Sequence, residues 1–295
     1  MLASVCWSII LGFITYKEKS AGNIVAKFWR ETRANWSVIR VNTVSEFKSI
    51  LTNGDLYLIR TCNLCMLGRL DFNFARLGQL EVLILKYNKI SNEMLHNISH
   101  LKSLKELELT SCVGFNFEGL LHLSSLSSLT KLDLGFSNIN DAEVKSIANI
   151  PNLRVLNLAD CRNITNACID HISKLSNLRS LYLSYSFRLN NIDFRKLATL
   201  KHLEVLYVYD YTIDDQAFRY LLLCHNLREI HIQGCSFKTS SLLDLNKLLY
   251  LSKFSCFCMY TEFSSSCFDE LQKSLNVPHL SCLYHDKTWK THQKL

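Results

Sequence analysis

The chain has 295 residues, 48% of them hydrophobic and 20% charged, which is enough apolar material for a folded core and a length typical of about two domains. Nine glycines and two prolines exclude collagen-like and low-complexity chains. The formal net charge of +7 is mild and is not the clustered basic face of a dedicated nucleic-acid-binding protein, so we predict no nucleic-acid partner.

The chain begins with an apolar run, residues 3–16, that resembles the core of a secretory signal peptide. No positive residue precedes it, and Lys17, Glu18 and Lys19 stand where a small-residue cleavage site would be expected. No apolar run reaches the about 20 residues of a membrane span, so no membrane partner is predicted. Twelve cysteines are too few for a disulfide scaffold. We therefore predict a cytoplasmic or nuclear protein, with a secreted or surface protein as the alternative.

Residues 2–41 keep the order of a helical motif without a gap. The matching segments are Leu2, Ile10-Leu11-Gly12-Phe13-Ile14, Val25-Ala26-Lys27-Phe28-Trp29-Arg30, Trp36 and Val41. This order resembles a divergent F-box, in which Ala3 and Val5 replace the usual proline and glutamate. The resemblance implies docking on the Skp-type adaptor of a cullin-RING ligase through Leu2, Ile10, Leu11, Phe13, Val25 and Trp29. The alternative is a helical cap that shields the open end of a repeat array.

Beyond the N-terminal segment, the motif Leu-x-x-Leu-x-Leu recurs at steps of 24 or 25 residues. Its copies begin at Leu80, Leu104, Leu129, Leu153, Leu178, Leu203 and Leu227, with a weaker copy at Leu251. We assign an earlier degraded copy to Leu56 and Leu58 and a last half-copy to Leu280 and Leu283. Alternating leucines lie on one face of a short strand. The motif therefore predicts strands near residues 56–59, 81–85, 105–109, 130–134, 154–158, 179–183, 204–208 and 228–232.

A second apolar series follows each strand motif at steps of three residues, as in Leu95, Ile98 and Leu101. Steps of three lie on one face of a helix. Polar residues that can cap a helix stand near the predicted helix starts, namely Asn92, Asp141, Thr165 and Asp214. Each unit must stack on its neighbours to bury its apolar face. The fold class predicted is therefore an α/β solenoid with parallel strands on the concave face and helices on the convex face.

The period and the motif resemble those of leucine-rich repeats. Position nine of the repeat, where the resemblance implies a buried polar group that satisfies the turn, holds Asn88, Cys112, Ser137, Cys161, Ser186, Tyr211 and Cys235. Together with phrases such as Ile139-Asn140-Asp141, this series resembles the cysteine-containing subclass, which occurs largely in intracellular proteins, many of them F-box proteins. We divide the chain into an F-box-like helical segment (1–42), the solenoid (43–251) and a C-terminal degenerate repeat and cap (252–295).

Residues between the strand leucines should face outward into the concavity. Four tyrosines and a histidine gather there on neighbouring strands, namely Tyr182, Tyr185, Tyr207, Tyr209 and His231. Exposed tyrosines with a polar rim are typical of protein-binding hot spots, so we predict that these residues bind a protein substrate. The alternative is that aromatic residues simply favour strands. Arg154, Arg179 and Arg228 recur at the second repeat position, either as a rim of this surface or as a solvated edge.

The sequence contains no phosphate-binding glycine loop, metalloprotease helix or nucleophile elbow, so we predict no catalytic residues, cofactor or metal. Cys224 is adjacent to His225, but it occupies a predicted core position and is interpreted as a packed thiol. The tail holds Cys256, Cys258, Cys267, Cys282 and His285. Their spacing is irregular for zinc, which favours ordinary cysteines of a cap over a metal site.

By the F-box resemblance, the predicted function is that of a substrate-recognition subunit of a cullin-RING (SCF-type) ubiquitin ligase. The concave face would hold an unidentified protein substrate, and other subunits would transfer ubiquitin to it. The mechanism would be proximity, because tethering raises the effective concentration of the target. The alternative is a non-catalytic repeat scaffold or inhibitor that mediates protein–protein interaction without a link to ubiquitin.

Overall fold

A computed structural model describes residues 38–53, 59–70, 72–186, 189, 192–209, 213–234, 236–257, 273–283 and 289–293. In chain order its strands are β1 (Val38–Arg40), β2 (Thr61–Asn63), β3 (Gly68–Arg69), β4 (Val82–Ile84), β5 (Asn88–Lys89), β6 (Glu106–Glu108), β7 (Lys131–Asp133), β8 (Val155–Asn157), β9 (Ser180–Tyr182), β10 (Val205–Val208), β11 (Glu229–Gln233), β12 (Lys253–Phe257), β13 (His279–Leu283) and β14 (Trp289–Gln293). Strands β3 and β5 pair with each other. The other strands form one sheet in which neighbours in space follow chain order. Every pair in that sheet is parallel except β13 with β14.

Short helices connect successive strands. They are α1 (Val44–Asn53), α2 (Asn92–Ile98), α3 (Phe117–Leu121), α4 (Asp141–Ile147), α5 (Ala167–Ile172), α6 (Phe194–Leu197) and α7 (Asp215–Leu221), with 3-10 helices at Ala75–Leu77, His122–Ser125 and Thr239–Lys247. This alternation of parallel strands with helices is the predicted α/β solenoid. Within the described residues, no helix combines the length and apolar character that crossing a membrane requires.

The strand leucines form continuous rows through the core. Leu132, Leu156 and Leu181 lie beside one another in register, and all three are fully buried. The helix series is buried as well, for example Leu95, Ile98 and Leu101 at 0% exposure. The predicted period therefore gives the correct register from Leu80 to Cys256.

The helix caps lie one residue from three of the four predicted positions. Asp214 does cap α7, but the side chains that cap α2 and α4 are Ser91 and Asn140. At α5 the N-cap residue is Asn166 and not Thr165, and its side chain makes no cap hydrogen bond. The adjacent Asp141 instead binds the next repeat, because its carboxylate accepts from the backbone N–H of Thr165 at 2.9 Å and from its hydroxyl at 2.6 Å. Polar side chains near the helix starts therefore have two roles: some cap the helix, and Asp141 joins its repeat to the next one.

The first repeat is shorter than predicted. Leu56 and Leu58 lie outside the described residues, and the strand of this repeat is β2, in which Cys62 lies beside Leu83. Ile59, Cys62 and Leu64 are buried in the places that Leu80, Leu83 and Leu85 hold one repeat later. The strand predicted near residues 56–59 thus falls mostly outside the described residues. The described register starts this repeat at Ile59, 21 residues before Leu80, with a cysteine in place of the central leucine.

The sheet extends beyond the leucine motif at both ends. Strand β1 lies within the range 1–42 assigned to the F-box-like segment, and it places Ile39 beside Cys62 in the core. At the other end, β13 places Leu280 beside Phe254 and Cys282 beside Cys256. The half-copy predicted at Leu280 and Leu283 is therefore out of register by three residues, because Leu280 lies beside Phe254, the second apolar position of its repeat and not the first. Cys258, Cys267 and His285 lie outside the described residues.

Candidate protein-binding surface

Buried polar side chains at position nine hold the turns that follow the strands. The Asn88 amide donates to the carbonyls of Leu64 and Leu85, both at 2.7 Å. The Cys112 thiol donates to the Leu85 carbonyl at 3.0 Å, and the Cys161 thiol donates to that of Leu134 at 3.2 Å. The expectation for this position is confirmed at these residues and at Ser137, whose hydroxyl donates to the Leu109 carbonyl at 3.3 Å. It is wrong at Ser186, whose buried hydroxyl has no hydrogen-bond partner within the part of the chain that the structure describes, and Tyr211 and Cys235 lie outside the described residues. Where the expectation is confirmed, the buried side chain satisfies backbone carbonyls of the turn that follows the strand.

The residue before position nine has a left-handed backbone in six successive repeats, with φ between 54° and 61°. The series is Met66, Tyr87, Ser111, Phe136, Asp160 and Tyr185. Bulky side chains are rare in this conformation, which favours glycine or asparagine. Four of the six are large apolar or aromatic side chains that face solvent, from 44% exposure at Tyr185 to 75% at Met66. Sequence reasoning selects Tyr185 but misses the series, whose signal is aromatic residues directly before position nine.

The predicted tyrosines do come together on the concave face. Tyr182 and Tyr207 stack with their ring centroids 4.8 Å apart. Tyr209 meets Tyr207 edge-on at 6.2 Å and Tyr185 edge-on at 5.8 Å. We call these four residues the tyrosine patch. Its rings hold one another in place, so few side-chain rotamers are left to freeze when a partner binds.

His231 does not lie on the exposed surface, contrary to the expectation from sequence. It is only 7% exposed, because it stacks on Tyr207 at 4.1 Å with an interplanar angle of 15°. Its Nε2 lies 2.6 Å from Oε1 of Glu229. Burial lowers the pKa of His231, and the hydrogen bond to Glu229 opposes that shift. His231 therefore supports the tyrosine patch from the side.

Glu229, the first residue of β11, is a member of this site that sequence reasoning does not identify. Its Oε1 also accepts from the Tyr207 hydroxyl and from Nζ of Lys253, each at 2.7 Å. Burial alone would raise the pKa of this carboxyl, but the hydrogen bonds from Lys253, Tyr207 and His231 prevail and lower it to about 2. Burial and the same hydrogen bond raise the pKa of Tyr207. One ionised carboxylate thus orients both neighbouring rings.

The other half of the concave face carries charges instead of rings. Glu108 pairs with Lys86 at 2.8 Å and with Lys131 at 2.9 Å, and Lys131 also reaches Glu106 at 3.2 Å. Burial opposes ionisation of Glu108, but the two lysines lower the pKa of its carboxyl. These charges largely neutralise one another, so the uncharged tyrosine patch is distinct from the rest of the face.

The recurring arginines lie along the edge where the strands begin. Arg179 forms an ion pair with Glu204, and Arg228 lies 3.8 Å from the same carboxylate. The Arg228 guanidinium also lies over the Tyr250 ring at 5.6 Å. This pairing favours a solvated charged edge over a rim of the tyrosine patch.

The described residues contain no arrangement of three His, Cys, Asp or Glu side chains that could hold a metal ion. Burial raises the pKa of the Cys224 thiol to about 12, which supports its interpretation as a packed core residue. The predicted adaptor-binding residues Leu2, Ile10, Leu11, Phe13, Val25 and Trp29 all lie outside the described residues.

Comparisons with known proteins identify relatives by structure. No protein-family profile matches the chain, and no curated sequence matches it. An internalin (inlF) from Listeria monocytogenes aligns with a TM-score of 0.56 and 20% identity over 74% of this chain, which spans 60% of that protein. Internalin C2 (inlC2) from the same organism aligns with a TM-score of 0.53 and 30% identity, over 67% of this chain and 80% of that one. Internalins are leucine-rich-repeat proteins, and with the repeat period and strand register described above, the chain belongs to the leucine-rich-repeat proteins.

Proposed function

We propose that this protein recognises a protein partner on its concave face and catalyses no reaction itself. The observation that carries this proposal is the tyrosine patch, whose rings are stacked and braced by the ionised Glu229. Tyrosines in such a setting combine apolar contact area with a polar hydroxyl and lose little side-chain entropy on binding. A concave sheet also helps neighbouring contacts to exclude water.

The test is the affinity of the partner for patch variants. Tyr182→Ala and Tyr207→Ala should each weaken binding by about 1–3 kcal/mol, because each removes a central aromatic contact. Tyr250→Ala is the matched control, since Tyr250 is exposed but lies outside the patch, between the 3-10 helix Thr239–Lys247 and β12. Urea unfolding of all three variants separates binding from stability. If both patch variants are folded and bind with wild-type affinity, recognition lies elsewhere on the protein.

We further propose that the partner is a substrate and that the protein is the recognition subunit of an SCF-type ubiquitin ligase in the cytoplasm or nucleus. The support is the F-box-like order of residues 2–41 directly before a repeat array. The Skp-type adaptor would bind that segment, and the repeats would hold the substrate near the ubiquitin-carrying enzyme.

Co-purification with the Skp-type adaptor tests this finer proposal. The double variant Ile10→Ala, Phe13→Ala should lose the adaptor, whereas Tyr182→Ala should keep it, because the patch is remote in sequence from the docking segment. If the wild-type protein never recruits the adaptor, the N-terminal segment acts as a cap. The protein is then a scaffold or inhibitor without a link to ubiquitin.

A further inference from the structure

We infer that the concave face contains a subsite for an arginine side chain of the protein partner, formed by Tyr182, Asn157 and Asp133. The inference rests on the proposed function and names the chemistry of the partner. The three residues occupy the same position on successive strands, with Asp133 beside Asn157 and Asn157 beside Tyr182. A cation placed above Asn157 would therefore lie between an aromatic ring and a carboxylate.

Tyr182 ends the stack of rings and offers one open face. Tyr207 is covered on both sides, by Tyr182 at 4.8 Å and by His231 at 4.1 Å. On its other side the neighbour of Tyr182 in the sheet is the short Asn157, and no ring of the described residues stacks there. Lys131 interacts with the Tyr182 hydroxyl electrostatically, but its ammonium is paired with Glu106 and Glu108. The face of a tyrosine ring attracts cations, and a guanidinium can stack flat on it.

Asp133 supplies the negative charge. The other concave carboxylates of strands β6 to β11 each lie within 3.2 Å of a lysine, namely Glu106, Glu108 and Glu229. Asp133 has no cation within ion-pair distance among the described residues, and it accepts only neutral hydrogen bonds from Asn157 at 3.0 Å and from the N–H of Gly135 at 2.9 Å. Lys131 lies on the same strand but is engaged with Glu106 and Glu108. Lys86 interacts with Asp133 electrostatically without pairing with it, so among the described residues this carboxylate has no direct cationic partner and is complementary to one.

The dimensions fit a guanidinium. Two strand spacings separate Tyr182 from Asp133 by about 9.6 Å. A cation within about 6 Å of a ring centroid that also forms a charged hydrogen bond of about 2.8 Å spans nearly this distance. The next position along these strands holds the small residues Gly135 and Ala159, and a Cβ at Gly135 would lie 3.2 Å from Nδ2 of Asn157 and 3.3 Å from Oδ1 of Asp133. The side chains of Asn157 and Asp133 therefore close over Gly135, and a guanidinium would lie above these two side chains, against the Tyr182 ring.

Binding of N-acetyl-arginine amide to the full chain, followed by saturation-transfer NMR, tests the subsite. N-acetyl-citrulline amide is the matched probe, because it keeps the shape of arginine without the charge. We expect the arginine probe to bind about tenfold more tightly than the citrulline probe. Asp133→Asn and Tyr182→Leu should each weaken it about fivefold or more. Asp170→Asn on the convex side and Tyr250→Leu should leave it unchanged.

Equal binding of the two probes, or wild-type binding by Asp133→Asn, would overturn the subsite. Equal binding of N-acetyl-lysine amide would overturn its assignment to a guanidinium. If the arginine probe fails but Tyr207→Ala still weakens the protein partner, the subsite is wrong and the proposed function stands. If the probe binds as expected but the patch variants keep the partner, the proposed function is wrong and the cation site cannot be assigned to that partner's arginine.

Discussion

Replacing Glu229 with glutamine should make the stability of the protein less dependent on pH. Hydrogen bonds from Lys253, Tyr207 and His231 outweigh burial and lower the pKa of Glu229 from its ordinary value of 4.5 to about 2. At 1.36 kcal/mol for each pH unit, this difference corresponds to about 3 kcal/mol. Since 26% of the Glu229 side chain is exposed, solvent screening reduces the expected contribution to about 2 kcal/mol.

The direction of the effect follows from the lowered pKa. The ionised carboxylate stabilises the fold fully above pH 4.5, where it is also ionised in the unfolded chain, and this contribution is lost as the pH falls toward 2. Glu229→Gln should therefore lower the free energy of unfolding by about 2 kcal/mol near pH 7, and the gap from wild type should shrink on acidification.

Urea unfolding of wild type and Glu229→Gln from pH 7 down to the acid limit of folding measures this gap. Glu106→Gln is the control. Like Glu229, Glu106 lies on the concave face and pairs with a lysine, but its ion pair with Lys131 is more exposed to solvent. The control should differ from wild type by much less at every pH. A Glu229→Gln gap that stays constant through the acid range would refute the reasoning, since the bonds to Lys253, Tyr207 and His231 would then carry no charge-dependent energy.

Three further predictions concern the core, the thiols and the caps. Leu156→Ala should lower the free energy of unfolding by about 2–5 kcal/mol, because Leu156 is fully buried. Val155→Ala on the concave side should lower it much less, and equal losses in urea unfolding would contradict the strand register. In native thiol labelling, the half-buried Cys65 should react before the other cysteines that the structure describes. Cys62 and Cys161 should react only on unfolding, because burial raises the pKa of each thiol to about 12, and rapid labelling of either would count against the packing. Asn140→Ala should cost about 1 kcal/mol, since its side chain accepts from the N–H of Ala142 at 2.8 Å in a capping box; a thermal midpoint unchanged from wild type would show that the cap contributes nothing.

The repeated part of the fold is predictable from sequence, because leucines that recur every 24 or 25 residues are buried together only when the repeats stack in register. The first repeat is not, because Cys62 replaces its central leucine and its length differs. A cysteine fills the core position well enough to preserve packing but erases the motif that identifies the strand. The caps shift by one residue because Asp141 is used by the next repeat instead of its own helix.

The sequence predicts which residues lie on the candidate site but not how deeply each side chain is buried. Strand alternation correctly brings Tyr182, Tyr207 and His231 to one face in adjacent strands. It cannot show that His231 is covered, because that depends on the side-chain directions of Tyr207 and Glu229. The left-handed turns that expose Phe136 and Tyr185 cannot be predicted from the sequence either, because bulky residues rarely adopt that conformation.

Site-specific photo-crosslinking tests the central claim most directly. A photoreactive phenylalanine analogue at position 182 would lie within the tyrosine patch, and the same analogue at position 96 would lie on the exposed surface of α2. We predict that the protein partner is captured from position 182 and not from position 96. Capture from position 96 with none from position 182 would contradict recognition on the concave face.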